Sequence, residues 1–429
     1  MLEIMTDSSE LIKKIGSRST LDNPEVISAV AEIMKDIRSD GDSALRKYTL
    51  MFDGCILDDF RVSESEIKEA YSGADSRLVN IIRESIENVR HYHEKQRQES
   101  WDWQKSDGMR LGQRISAIGT AGVYVPGGTA PLISSVIMNV VPAVVAGVRN
   151  IIVCTPPDKN GCVDPLRIVA AVESGATAIF KAGGAQAIFA MAFGTQSIPR
   201  ADKITGPGNI YVANAKKLAF GYCGIDMIAG PSEILVIADS NANPAYVAAD
   251  LLSQAEHDAM ASAILITEDR MLADKVNDEL RKQILMLSRK DTAQKSLAGF
   301  GAAYIADSRE DAVRITNMIA PEHCELMVDD PEYYEERIEN AGAIFIGAYS
   351  PEPLGDYWAG PNHTLPTGGT ARFYSPLGVY DFYKRTSIIH FDRDSLEKDY
   401  EKIMDFAKAE GLDAHANAIS IRFAEEEDD

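Results

Sequence analysis

Apolar positions recur at helical spacing through the first hundred residues. Asn23-Pro24 pairs a capping side chain with proline at the first helical position. Val26, Ile27, Val30, Ile33 and Ile37 then share one face, and Gly41 closes the helix. Ile81 to Gln96 predicts a further helix, dense in charge, whose His91 and His93 read as solvated. From Ile115 the pattern changes, and short apolar runs alternate with helical stretches and glycine turns. GVYVPGG runs from a strand into a turn, and NIIVC is a strand stopped by Pro156-Pro157. Ala178 to Phe180 leads into AGGAQAI, KITGPGN leads into a helix through Tyr211, and Glu233 to Ala238 is again a strand. Asn243-Pro244 opens a helix, and SAILIT follows it. Such alternation predicts an α/β fold built on a largely parallel sheet. Residues 310–330 predict a helix, a break at Pro321, then a strand through Leu326 to Val328. The C-terminal segments carry little apolar content of their own and must pack on something else. The tail EEEDD predicts disorder.

At 429 residues and 45% hydrophobic composition, the chain is too long for one ordinary core, so two or more packed units are expected. The longest apolar stretch, Ile133 to Val148, is interrupted by Ser134, Ser135, Asn139 and Pro142. It is too short to span a bilayer and reads as a buried element. Acidic residues outnumber basic ones by 65 to 43, a net charge of −22, which argues against a nucleic-acid surface. The five cysteines form no C-x-x-C pair. Their odd number and an N-terminus without an apolar core segment predict the reducing cytoplasm rather than secretion.

The dinucleotide pattern G-x-G-x-x-G is missing, and the nearest match, GPGNIY, has Tyr211 where the third glycine belongs. The turns at 127–128, 183–184 and 206–208 still follow strands and precede helices, an arrangement that suits an anion. Nucleotide binding and ordinary strand-to-helix turns both remain open at this level.

Four of the seven histidines sit among polar or Gly/Pro-rich residues. Gln254 and His257 are three apart and would share a helix face, as metal ligands or as a polar helix end. Glu322-His323 follows Ala320-Pro321, which places the pair in a connecting loop, either as a proton-transfer pair or as a solvated turn. Asp356 and His363 lie in PLGDYWAGPNHTLPTGG, too rich in glycine and proline for regular structure and too rich in chemistry for a plain linker. Glu410 and His415 flank Gly411, where one helix breaks and Asp413 can cap the next. Two imidazoles, a carboxylate and a glutamine oxygen make a donor set that zinc accepts, although glutamine is an uncommon ligand and spacing alone does not assemble the set.

In order and at matching spacing, GVYVPGGTAPLISSV, AGGAQAIFAMAFGT, DKITGPGN, AGPSEILV, LLSQAEHD, APEHCEL, GDYWAGPNHTLPTGG and EGLDAHANAI resemble the histidinol dehydrogenase family, from about residue 20 to residue 424. The resemblance implies two incomplete Rossmann-like α/β units with helical N- and C-terminal extensions. The implied divisions are a mainly helical region over 1–115 packing on the second unit, an NAD-side unit over 116–231, a zinc and substrate unit over 232–371, and an extension over 372–429 reaching a partner subunit. It implies zinc held by Gln254, His257, Asp356 and His415, the last from the other subunit of a homodimer. It implies Glu322 and His323 as the acid–base pair. Ser232, His363 and Glu410 would position substrate, and Tyr124, Gln186 and Asn209 would contact NAD. The implied reaction takes L-histidinol to L-histidine with two NAD, the last step of histidine biosynthesis, with no nucleic-acid or membrane partner.

Other classes stay in view: a same-fold dehydrogenase of another alcohol such as a sulfonated diol, a zinc hydrolase using Glu322 as base, a thiol-dependent aldehyde dehydrogenase using Cys154 or Cys324, and a non-enzymatic metal-binding protein. His363 and Glu410 suit an amino-imidazole substrate better than a diol. Cys154 ends an apolar strand and reads as an inert packed thiol.

Overall fold

A computed structural model describes residues 1–18, 23–106, 108–127 and 131–424. Gly128 of the first glycine turn and the acidic tail lie outside the described residues. Contacts divide the chain into two units, Met1–Arg97 with Ile118–Phe382, and Gln98–Ala117 with Tyr383–Asp429.

The larger unit contains two sheets, each parallel throughout. One runs Ala178–Lys181, Asn150–Thr155, Thr120–Tyr124, Lys203–Thr205, Gly224–Ile225. Counted along the chain, that order is 3-2-1-4-5. The other runs Glu3–Met5, Ala302–Ile305, Ser262–Thr267, Glu233–Ala238, His323–Met327, Ala343–Ile346. Counted from Glu233, it repeats 3-2-1-4-5 and carries the N-terminal strand on one edge. Each sheet therefore follows the doubly wound order without its sixth strand, which makes two incomplete Rossmann-like units. The central strands read as unbroken apolar runs because both faces are covered: Glu233–Ala238 and Ser262–Thr267 are buried at every position. The apolar stretch after Ile133 forms the helix Ile133–Ala146, apolar nearly all round because nearly all of it is buried. Among the described residues no helix is long and apolar enough to cross a membrane.

The N-terminal helices form where their caps require. Asn23 accepts from the N–H groups of Glu25 and Val26, Pro24 opens the helix Pro24–Asp40, and Gly41 ends it. Their packing differs from expectation. Val26, Val30, Ile33, Ile37, Leu45 and Phe60 share one core with Phe180, Ile188 and Phe189, which belong to the first sheet's unit. Among the described residues before residue 116, those that enter the cores of the second are at the extreme N-terminus, chiefly Leu2, Met5 and Leu11. The reason is that the apolar face of Pro24–Asp40 meets the helix Gly184–Phe193, which is apolar on every side and needs a second cover. His93 also departs from its reading as solvated. It is fully buried, with Nδ1 2.9 Å from the Val89 carbonyl and Asn362 beside Nε2, while His91 is exposed. Helical spacing puts His93 in line with Val89 and Ile86 on the buried face.

The smaller unit holds an antiparallel sheet, Tyr383–Phe391, Met109–Ala117, Trp101–Ser106. The strand Tyr383–Phe391 pairs with one that lies far away in sequence, from Tyr383 opposite Ala117 to Phe391 opposite Met109, so no local pattern announces that pairing. Two helices follow, Tyr400–Ala409 and Asp413–Ser420. Asp413 is the first residue of the latter rather than its cap; the cap position is Leu412, which has no capping oxygen.

The turn after Lys203–Thr205 is anchored by a buried ion pair. Lys216 and Asp226 are almost wholly inaccessible and bonded to each other. Lys216 Nζ donates to the Gly206 carbonyl at 2.9 Å, and Asp226 accepts from the Gly206 N–H at 2.8 Å. Both ends of the Gly206 residue are thereby held. Replacing Lys216 with methionine leaves Asp226 buried without its counter-charge. We expect a loss of about 3–5 kcal/mol in urea unfolding, largely recovered when Asp226→Leu is added. An unchanged midpoint in Lys216→Met would show that the pair does not anchor the turn.

Candidate active site

Two neighbouring strands of the six-stranded sheet open on acidic residues. Glu233 begins one strand, and Glu322 stands immediately before His323, which begins the next. The strands are parallel, with His323 opposite Ile234, so both acids meet at the amino-terminal edge of the sheet. Open α/β sheets more often place ligands at the carboxyl ends. Ala320 sets the approach. It closes the helix Arg309–Ile319 in the left-handed region at φ 52°, and Pro321 then prevents helical continuation. Glu322-His323 was expected in a loop; His323 is instead the first ladder residue, paired on both sides with Ile234 and Ala343.

Glu233 and Glu322 bond reciprocally. The Glu322 carboxylate accepts from the Glu233 N–H at 2.9 Å, and the Glu233 carboxylate accepts from the Glu322 N–H at 3.3 Å. Arg18 completes the set, donating to Glu233 Oε1 at 2.6 Å and to the Pro231 carbonyl at 3.1 Å. The Gly368 N–H donates to Glu233 as well, at 3.0 Å. Burial raises the Glu233 carboxyl, and Arg18 works against that rise. Burial, then the neighbouring Glu233, pushes Glu322 well above the usual carboxylate range.

His323 Nδ1 lies 2.9 Å from the Glu233 carbonyl. A carbonyl only accepts, so Nδ1 carries the proton and Nε2 is the basic nitrogen. Nε2 is buried and has no hydrogen-bond partner among the described residues, and the nearest carboxylate, of Glu352, is 3.9 Å away. Burial lowers the imidazole's affinity for protons, opposed by Asp356. The ring is therefore neutral and available as a base.

Asp356 was expected in irregular chain but lies in the short helix Glu352–Tyr357, opened by Pro351. His363 Nδ1 is 3.4 Å from its carboxylate. Burial works to raise Asp356, and His363 and His323 outweigh it, holding the carboxyl below its usual range. Gln254 is buried near the end of the helix Pro244–Ala255, and its Oε1 has no hydrogen-bond partner among the described residues. His257 lies past that helix end, exposed, with its N–H bonded to the Gln254 carbonyl at 3.0 Å. Both His257 and His363 bear electrostatically on His323. Ligand atoms of His323, Glu352 and Asp356 lie within 4.8 Å of one another, close enough to share a cation. An orphaned amide oxygen, an ionised carboxylate and two nearby imidazoles fit a zinc ion's preference for oxygen and nitrogen donors. Ser232 is half-buried, and its carbonyl accepts from the Ser262 N–H at 3.0 Å. Glu410 and His415 are exposed residues of the smaller unit.

Residue-pattern reading missed Glu233, Glu352 and Arg18. Glu233 did leave a trace, as a lone acid on the fully apolar strand EILVIA. Glu325 leaves the same trace in HCELM, and burial followed by Asp250 raises its carboxyl. Glu352 leaves none.

A separate cavity of about 1500 Å³ opens at the five-stranded sheet. Tyr124, Gln186 and Asn209 all line it. Tyr124 ends strand 1 and Gly206 follows strand 4, so the cavity sits where the strand order reverses, the usual crevice for a nucleotide. Tyr124 Oη accepts from the Gly184 N–H at 3.0 Å, and Asn209 caps the helix Ile210–Ala219. Gly206 has φ 115°, and a Cβ there would collide with the Tyr124 carbonyl. Both amide atoms of Gln186 are buried and have no hydrogen-bond partner among the described residues. Cys154 and Cys324 are fully buried, and burial pushes both thiols up, which leaves neither as a nucleophile.

Fold and site together define an α/β enzyme with a nucleotide-type crevice and a buried acid–imidazole centre. The model of the family described as histidinol dehydrogenase matches residues 16–423. A histidinol dehydrogenase of Bacillus subtilis (strain 168) is 52% identical over 92% of each chain. One of Listeria monocytogenes is 48% identical over 99% of this chain and 100% of its own. The crystal structure of histidinol dehydrogenase from Elizabethkingia anophelis superimposes with a TM-score of 0.93 at 38% identity, covering 98% of both chains. The chain belongs to the histidinol dehydrogenase family, and it is an oxidoreductase.

Arg18 and Glu233 are each about 5% accessible at the side chain, so breaking the pair strands a buried carboxylate. Arg18→Met is expected to cost about 3–5 kcal/mol and to lower Tm by several degrees. A melting point within a degree of the parent protein would remove Arg18 from this account.

Proposed function

We propose that the chain oxidises L-histidinol to L-histidine through the aldehyde, the last step of histidine biosynthesis, in the cytoplasm. The observation that carries the mechanism is the hydrogen bond from His323 Nδ1 to the Glu233 carbonyl, which leaves Nε2 as the free base. Gln254, His257, Asp356 and the partner subunit's His415 hold zinc in this reading. Residues 116–231 form the NAD side and residues 232–371 the zinc and substrate side of a homodimer, and residues 372–429 reach across it. Zinc, when bound, supplies a positive centre that orients the substrate's imidazole and amine. NAD, when bound, supplies the hydride acceptor at each of two oxidations.

The remaining steps fall to the chain's own groups. His323 Nε2 takes the alcohol proton as hydride leaves the carbinol carbon. Glu322 accepts a proton from water, whose oxygen adds to the aldehyde carbon. His323, having released its first proton to solvent, then takes the proton of the resulting hydrate as the second hydride leaves, and the product is the carboxylate. One water enters and three protons are released. Ser232, His363 and the partner subunit's Glu410 position the substrate. Tyr124, Gln186 and Asn209 contact NAD, and the buried Gln186 amide, which has no partner among the described residues, supports that role.

With histidinol and NAD, two NADH are expected per substrate consumed. One NADH would indicate a single two-electron oxidation, and NADH formed from a sulfonated diol but not from histidinol would replace the substrate. His323→Asn is expected to lower kcat by roughly 10²–10⁴ while zinc content, measured by elemental analysis, stays unchanged. Near-parental turnover in that variant would take His323 out of the reaction.

A further inference from the structure

The cavity at the five-stranded sheet is lined by five acidic residues, and four of them are accounted for. Glu66 is paired with Lys181 at 2.5 Å and accepts from the Ser63 N–H. Asp158 accepts from the N–H groups of Asn160 and Cys162 within its own turn. Asp164 caps the helix Pro165–Ser174. Glu69 is exposed to water. Asp53 differs from these: its Oδ2 is shielded from solvent and has no hydrogen-bond partner among the described residues. A buried acceptor without a donor is costly in a folded protein, and it persists where a ligand satisfies it.

The position narrows the ligand. In nucleotide-binding sheets of this strand order, an acid after the second strand receives the ribose 2′-hydroxyl. Here the second strand, Asn150–Thr155, is followed by Pro156-Pro157, and the next acid, Asp158, is taken up by its own turn. Asp53 reaches the same cavity from another direction, as the last residue of the helix Asp42–Asp53. Resting on the reading that NAD occupies this cavity, we propose that Asp53 accepts hydrogen bonds from a ribose diol of the dinucleotide and sets the preference for NAD over its 2′-phosphorylated counterpart. A ribose hydroxyl donates to a carboxylate. A 2′-phosphate donates little and brings about two negative charges against both the carboxylate and the negative end of that helix.

The test is calorimetric titration of the zinc-loaded enzyme with NAD and with NADP, in the parent and in Asp53→Asn, Asp53→Ser and Gln186→Ala. Both Asp53 variants should bind NAD about tenfold more weakly, and the NAD-to-NADP affinity ratio should fall by about tenfold or more. KM for histidinol should be unchanged, and Tm without dinucleotide should be equal or higher, since the stranded carboxylate is gone. If Gln186→Ala weakens NAD while both Asp53 variants keep the parental NAD-to-NADP ratio, the role of Asp53 is overturned and the cavity remains the NAD site. If all three variants bind NAD as the parent does, the cavity itself is reassigned and the proposal falls with it.

Discussion

Glu233 is a carboxylate folded into the start of an apolar, fully covered strand, and everything at the site follows from how that charge is tolerated. Its oxygens are met by Arg18 and by the N–H groups of Glu322 and Gly368. Its own N–H holds the Glu322 carboxylate, and its carbonyl holds His323 Nδ1. Three segments far apart in sequence, around Arg18, Glu322-His323 and Gly368, are thus tied to one residue. A buried carboxylate with fewer partners would be neutralised or expelled, so the cluster stands or falls as a set. One consequence is chemical: the acid and the imidazole are held rigidly by backbone groups of a sheet rather than by loop side chains, which is the more exact support for a site.

The two sheets divide the work by their geometry. The first opens its cavity at the carboxyl ends of its strands, at the point where strand order reverses, as a nucleotide crevice is expected to. The second places its acid–imidazole pair at the amino ends. The repeated 3-2-1-4-5 order is therefore a repetition of scaffold and not of site. The glycine turns of the first unit depart from the usual dinucleotide pattern because other contacts replace it. Lys216 and Asp226 grip Gly206 from both sides, and Tyr124 holds the Gly184 N–H.

Much was legible in the residues alone, and for local reasons. Caps and prolines marked helix starts at Asn23 and Asn243, and apolar runs marked Glu233–Ala238 and Ser262–Thr267 as strands. Acid–imidazole pairs amid glycine and proline marked Glu322, His323, Asp356 and His363 as candidates for chemistry. Helical spacing places His93 with Ile86 and Val89 and His91 on another face, but the density of charge masked that face, and the Asn362 that covers His93 comes from a segment 269 residues away.

The sequence by itself determined the elements, the alternation that makes a parallel α/β fold, and, through its ordered motifs, the family. Those depend on neighbours within a few turns or on residue identities. Only the tertiary structure decided which unit covers the N-terminal helices, that residues 101–106, 109–117 and 383–391 form one sheet, that His323 is a ladder residue with a defined tautomer, and that Glu233, Arg18 and Asp53 matter. Each of those turns on burial and on partners distant along the chain. A carboxylate's role is set by what surrounds it after folding, and residue spacing carries no record of that.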